Sequence, residues 1–180
     1  MAIGNYYVID GVNHARVSYV ISELTPPKDF ALNQTAARDL GTQMHADIER
    51  YLCGETDRIF ELKSKFVRFM DAHIKPPWIF FASEKLISDT DARIAGTVDA
   101  LFINKITNQL MIIDWKRTRG LYPDSMLQYQ LQLNLYRHII GLHKVDVIGL
   151  VLLHPENCDF HFIEVPVLDV SVYIDAARYL

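Results

Sequence analysis

The sequence predicts an α+β domain built on a central mixed β-sheet flanked by helices. Three observations carry that prediction. Apolar residues recur at helical spacing twice between Asn33 and His73. Three segments rich in β-branched and aromatic residues then follow one another from Trp78 to Trp115. A long helical period beginning near Ser125 leads into the apolar run Val145 to His154. Helices, a strand meander, a helix and further strands, in that order, describe the α+β class. A chain of 180 residues suits one domain over residues 1–180 with a substantial core.

Each element follows from local pattern. Tyr6 to Asp10 reads as a short strand and Asp10-Gly11 as its turn. Val17 to Leu24 is apolar and fits helix or strand equally well, until Thr25-Pro26-Pro27 breaks it. A helix is expected from about Asn33 to Leu52, with Ala37, Leu40, Met44, Ile48 and Tyr51 on one buried face and Cys53-Gly54 as its end. Ile59, Leu62, Phe66, Phe69, Met70 and His73 mark a second amphipathic helix, which Pro76-Pro77 stops. Trp78 to Ile87, Arg93 to Asn104 and Gln109 to Trp115 read as strands. The hairpin-like connection Asn104 to Asn108 makes them antiparallel. After a loop from Arg117 to Asp124, Ser125 is placed to cap a helix reaching Leu142, with Leu127, Leu131, Leu135, Ile139 and Leu142 as its buried stripe. Val145 to His154 is expected as an interior strand, Phe160 to Val165 as an edge strand, and Asp169 to Leu180 as a last helix.

Composition narrows the class of function. Half of the residues are apolar and 22% are charged, which is globular composition. Eighteen Lys+Arg against 22 Asp+Glu give a net charge of −4, so the chain does not coat nucleic acid by bulk electrostatics. A locally basic groove beside an acidic metal site remains compatible with that balance. The two cysteines, Cys53 and Cys158, form no C-x-x-C pair, and an intracellular, reducing compartment is the simplest reading. The N-terminus shows no signal-peptide pattern, and no apolar stretch is long enough to span a bilayer.

The chemistry concentrates where two β-like runs end in acids: Gly96-Thr97-Val98-Asp99 and Ile112-Ile113-Asp114-Trp115-Lys116. Hard cations such as Mg²⁺ and Mn²⁺ prefer oxygen ligands in octahedral geometry. Two carboxylates from neighbouring strand ends, a backbone carbonyl and waters can supply them. Side chains alternate along a strand, so Asp114 and Lys116 share a face while Trp115 points away. An ammonium there can orient water and stabilise developing negative charge. Taken alone, an acid-x-lysine at a strand end is common and carries little weight.

Three further residues keep company with it. Gln132 and Tyr136 lie one helical turn apart beside the Leu127-Leu131-Leu135 stripe. An amide and a phenol so placed can hold a phosphate, a base or the attacking water. Alternatively, Gln132 is a solvated residue and Tyr136 packs on the core margin. His45 sits beside buried Met44 and Ile48, as a metal ligand or as a hydrogen-bonded margin residue. Glu49, one turn on, is its partner or a solvated acid. Glu84 is read as either an extra active-site acid or a surface glutamate.

Taken together, these stretches resemble the PD-(D/E)XK nuclease superfamily and, within it, the RecB-like exonuclease group. The matching residues are 40–49 (Leu40 to Glu49), 95–99 (Ala95 to Asp99), Ile113-Asp114-Trp115-Lys116 and 132–136 (Gln132 to Tyr136), with an opening at Tyr7 to Val12. The resemblance extends to RecB-like enzymes of mitochondrial genome maintenance and to single-domain phage and viral relatives. It implies an αβββαβ core of restriction-endonuclease-like type. It implies that His45, Asp99, Asp114 and the Trp115 carbonyl are metal ligands, that Lys116 is the catalytic lysine, and that Gln132 and Tyr136 form the Q-x-x-x-Y motif. Here Val98-Asp99 replaces the eponymous proline-aspartate pair, and two cysteines exclude the four-cysteine iron–sulfur cluster of several relatives.

Arg117, Thr118 and Arg119 follow the lysine directly and are expected to contact phosphates. Tyr122, Tyr129, Trp78 and Phe81 offer stacking surfaces for unpaired bases, and none is assigned individually. His138, His143, His154 and His161 show no ligand spacing. The expected function is a Mg²⁺- or Mn²⁺-dependent deoxyribonuclease, an exonuclease on single-stranded or processed DNA ends in replication, recombination or repair. No Walker A motif is present, so any ATP-driven unwinding falls to a helicase or recombination partner. The competing expectation is a nucleic-acid-binding or assembly module that keeps the fold without cleaving.

Overall fold

Eight strands form one mixed sheet in the computed structural model, which describes residues 2–26, 34–118, 120, 123–156 and 159–180. In chain order the elements are β1 (Ala2–Ile3), β2 (Tyr6–Ile9), β3 (Val12–Arg16), α1 (Val17–Leu24), α2 (Gln34–Leu52), α3 (Lys63–His73), β4 (Trp78–Asp89), β5 (Ile94–Asn104), β6 (Leu110–Arg117), α4 (Pro123–Ile140), β7 (Val145–Leu153), β8 (Phe160–Glu164) and α5 (Ser171–Ala177). The α+β class and the central mixed sheet are as expected.

The sheet runs β1-β2-β3-β5-β6-β7-β8, and β4 also pairs with β5. The β3–β5 and β6–β7 pairs are parallel and the others antiparallel. β4 lines one edge of β5 from Ile94 to Asn104. The other edge is divided: β3 pairs at Ile94 and Ala95, and β6 pairs at residues 100–103. Between them, residues 96–99 of β5 have no strand partner on that edge among the described residues. The sheet therefore forks at Asp99.

Each face of the sheet carries its own core. On one side α1, α4 and α5 contribute Val20, Leu131, Leu135 and Ile174 to a cluster with Ile112, Leu150 and Val98. On the other, Met44 and Ile48 of α2 and Phe66 and Phe69 of α3 pack on Ala100, Phe102, Ile113 and Trp115. Phe66 and Phe69 each meet the Trp115 ring edge-on at 5.4 Å. Trp115 thus faces away from Asp114 and Lys116, as strand alternation requires.

Several expected details are corrected. The ambiguous segment Val17–Leu24 is helix, its Val17, Val20 and Ile21 packing as one face. Strand β3, too short and polar to be read from VNHAR, exists because it pairs with β2 and β5. Ile59 is 91% exposed and outside α3; the helix starts after buried Leu62. Ala37 and Leu40 are exposed, because only the C-terminal half of α2 from Met44 onward reaches the core. Helix α4 begins at Pro123, so Ser125 lies within it, and Leu127 and Leu142 are exposed. Its buried residues instead include Leu133, Asn134 and Tyr136, since it is covered by the sheet on one side and by α1 on another. Asn33, the expected start of α2, lies outside the described residues. No described helix is long and apolar enough to cross a membrane.

Candidate active site

The fork creates the site. Beyond Ile113, β6 leaves β5 but continues to pair with β7 through Arg117. The backbone groups of Trp115 that a β5 partner would have satisfied find side chains instead. Trp115 N–H donates to Asp99 Oδ2 at 2.9 Å, and Trp115 O lies 3.0 Å from His45 Nε2. Buried peptide groups need such partners, so the fork itself recruits Asp99 and His45. The β5 pleat is also interrupted there. Val98 and Ala100 would share a face on a regular strand, yet they belong to opposite cores.

On the α4 side, Asp114 is 1% exposed and grips Lys116, whose Nζ lies 2.9 Å from Oδ1 and 2.7 Å from Oδ2. The Oδ2 contact is an ion pair without a well-directed hydrogen bond. Gln132 Nε2 donates to Asp114 Oδ1 at 3.2 Å and to Tyr136 Oη at 2.9 Å. The motif on α4 is thereby joined to the acid-x-lysine of β6. The Lys116 ammonium also lies 5.1 Å from the Tyr129 ring centroid. Tyr136 stands over Gly96, where an added Cβ would overlap its ring, 3.2 Å from Cζ and closer still to Cε1. Glycine at that position is what lets the phenol reach Gln132.

On the α2 side, His45 Nδ1 lies 3.4 Å from Asp99 Oδ2 and 3.7 Å from Glu84 Oε1. One ligand atom from each of His45, Glu84 and Asp99 falls within 4.8 Å of the others. A groove of about 420 Å³ opens beside them, lined by Arg38, Thr42, His45, Glu49 and Glu84. Glu49 therefore lines the groove, while His45 is engaged by Asp99, Glu84 and the Trp115 carbonyl.

The electrostatics set the two acids apart. Burial raises the Asp114 carboxyl to about 6, with Lys116 pulling it down and Asp99 adding to the rise. Burial would also raise Asp99, but its hydrogen bond to His45, with the charges of His45 and Lys116, holds it below the usual carboxylate range. Burial alone would lower His45, yet Asp99 and Glu84 outweigh it and hold the imidazole at about 10. Lys116 likewise overcomes burial through Asp114 and Asp99 and sits at about 12. Burial, reinforced by Asp114 and Asp99, keeps the Tyr136 phenol protonated.

The donor set fits a hard divalent cation. Carboxylate and carbonyl oxygens predominate, one imidazole joins them, and a buried Asp114 oxygen accepts no hydrogen bond. His45 touches both Asp99 and the Trp115 carbonyl, whereas Asp114 is engaged by Lys116 and Gln132. Sequence alone allows Glu84 to be an active-site acid or a surface glutamate; its proximity to His45 comes from strand pairing that periodicity does not reveal.

The expected phosphate contacts are placed unevenly. Arg117 is held by Glu61, at 2.9 and 3.3 Å. The Thr118 hydroxyl closes the following turn by donating to Gly120 O at 2.6 Å. Arg119, Tyr122 and Cys158 lie outside the described residues. Trp78 packs against the α2–α3 core, while Phe81 is 57% exposed. His138, His143, His154 and His161 are not among the residues gathered at the cluster.

Comparison with curated proteins finds no match. Among solved structures the chain is similar to the crystal structure of SSO0001, with 19% identity over 94% of this chain and 76% of that one. The TM-score of 0.48 is too loose for that likeness to decide fold or function. A family model described as the PD-(D/E)XK nuclease superfamily matches residues 54–169, a span that holds Asp99, Asp114, Lys116, Gln132 and Tyr136 but not His45. The family is one of metal-dependent nucleases, and its α+β core is the fold described above. With well over half of its length matched, this chain belongs to the PD-(D/E)XK nuclease superfamily.

Proposed function

We propose that the chain hydrolyses DNA phosphodiester bonds as a RecB-like exonuclease acting on single-stranded or processed ends. The observation that carries this reading is the Gln132 amide, bonded at once to Asp114 and to Tyr136. It makes the Q-x-x-x-Y pair on α4 part of the same constellation as the acid-x-lysine on β6. His45, Asp99, Asp114 and the Trp115 carbonyl would hold Mg²⁺ or Mn²⁺. Such a cation supplies Lewis acidity, acidifying water and neutralising charge on the phosphate. Lys116, fully charged at neutral pH, positions the attacking water and stabilises charge developing on the phosphoryl oxygens. Gln132 fixes the Asp114 carboxylate, and Tyr136 remains a neutral phenol that anchors Gln132 in turn. Arg117 and Thr118, which follow Lys116 on the chain, would contact the DNA backbone, and the sequence offers Arg119 as a further phosphate contact. Strand separation belongs to a helicase or recombination partner.

End-labelled and circular DNA, single- and double-stranded, incubated with Mg²⁺ or Mn²⁺ test the proposal. Cleavage is expected from free ends, and circular single strands are expected to resist. Asp114→Ala and Lys116→Ala are each expected to lower the rate by at least about a hundredfold while the protein stays folded. Full activity in both variants refutes the assignment. Saturable metal binding without cleavage would leave a binding module.

A further inference from the structure

We propose that Glu84 is a metal ligand of this site, forming its open flank with His45 and Asp99. The proposal rests on the nuclease reading above and names a residue for which that reading has no role.

Strand register brings Glu84 there. β4 and β5 pair Ser83 with Ala100 and Lys85 with Val98, so Glu84 stands opposite Asp99, where the β5 pleat breaks. A register shift between Phe80 and Ala82 precedes it on the same strand. Glu84 has φ +45, a left-handed backbone that L-residues avoid inside a strand. A position chosen for strand stability would carry glycine or asparagine there. Glutamate instead turns its carboxylate to within 3.7 Å of His45 Nδ1, the same ring nitrogen that Asp99 Oδ2 approaches to 3.4 Å.

The division of labour among the acids supports the assignment. Asp114 is committed to Lys116 and Gln132 on the α4 side of the fork. Asp99 spends one oxygen on Trp115 N–H. Of the three carboxylates, Glu84 makes the longest contact, 3.7 Å to His45, and it is 35% exposed on the groove. A hard cation seeking several oxygen ligands finds in Glu84 the carboxylate with the least prior engagement.

Mn²⁺ titrations of the whole chain, without nucleic acid, test this by calorimetry and by the electron paramagnetic resonance signal of free Mn²⁺. Wild type is expected to bind Mn²⁺ saturably. Glu84→Gln, which keeps the shape and removes the charge, is expected to weaken binding by about tenfold or more. Glu84→Gly should lose affinity to a similar degree while its thermal midpoint holds or rises, because glycine accepts the left-handed backbone. A role limited to pairing with His45 would leave Mn²⁺ affinity unchanged or raised in both variants, and that result overturns the assignment. Absence of saturable binding in the wild type overturns the nuclease reading, and this one with it.

Discussion

Replacing Lys116 with methionine should make stability fall with pH across a range where Asp114 otherwise contributes no slope. In the wild type the Asp114 carboxyl sits at about 6, against 3.8 for an unperturbed aspartate. The folded chain therefore holds that proton more tightly than the unfolded chain. Its contribution to stability is complete below pH 3.8 and is lost as pH rises through about 6. Burial is the largest influence on Asp114, and the Lys116 charge, 2.7 Å away, is the largest opposing it. Without Lys116 the folded carboxyl keeps its proton to higher pH, and the loss continues from pH 6 to 8. One pH unit corresponds to about 1.4 kcal/mol, so the two units carry up to ~3 kcal/mol. Asp114 is 1% exposed, so solvent screening removes little of this. The assay is urea unfolding in EDTA of Lys116→Met and of Lys116→Met/Asp114→Asn at pH 6, 7 and 8. Other titrating groups, His45 included, are common to both proteins, so their stability difference isolates Asp114. A difference that stays constant over that range refutes the reasoning.

Two further outcomes follow from the geometry. Gly96→Ala should drive its Cβ into the Tyr136 ring, costing about 1–3 kcal/mol of stability and reducing cleavage through the displaced phenol; an unchanged thermal midpoint would show that the ring gives way freely. Arg117→Ala should weaken DNA binding uniformly across sequences and lower the salt-dependence slope by about 1, measured by anisotropy at several salt concentrations. An unchanged slope would mean that the guanidinium serves only its pair with Glu61.

Much of this protein follows from local pattern. The meander Trp78 to Trp115, the helix bearing Gln132 and Tyr136, and the opposite directions of Trp115 and its neighbours Asp114 and Lys116 are set by spacing that side-chain alternation and helical periodicity enforce within one element. Where a segment's fate depended on its neighbours, pattern failed. Residues 17–24 became helix, VNHAR became a strand, and Ile59 stayed in solvent, because pairing and coverage are properties of the whole fold. The same division runs through the site. The candidates for the chemistry can be read along the chain as two acids, a lysine, a glutamine, a tyrosine and a histidine, in an order that resembles the superfamily. How they meet is set by the pairing of distant segments in the fold. The fork between β5 and β6 leaves the Trp115 peptide to Asp99 and His45, Asp114 is held by Lys116 and Gln132, and the β4–β5 register sets Glu84 beside the imidazole. The physical reason is that a strand break must be satisfied by side chains from distant segments, and no local period records which ones will arrive.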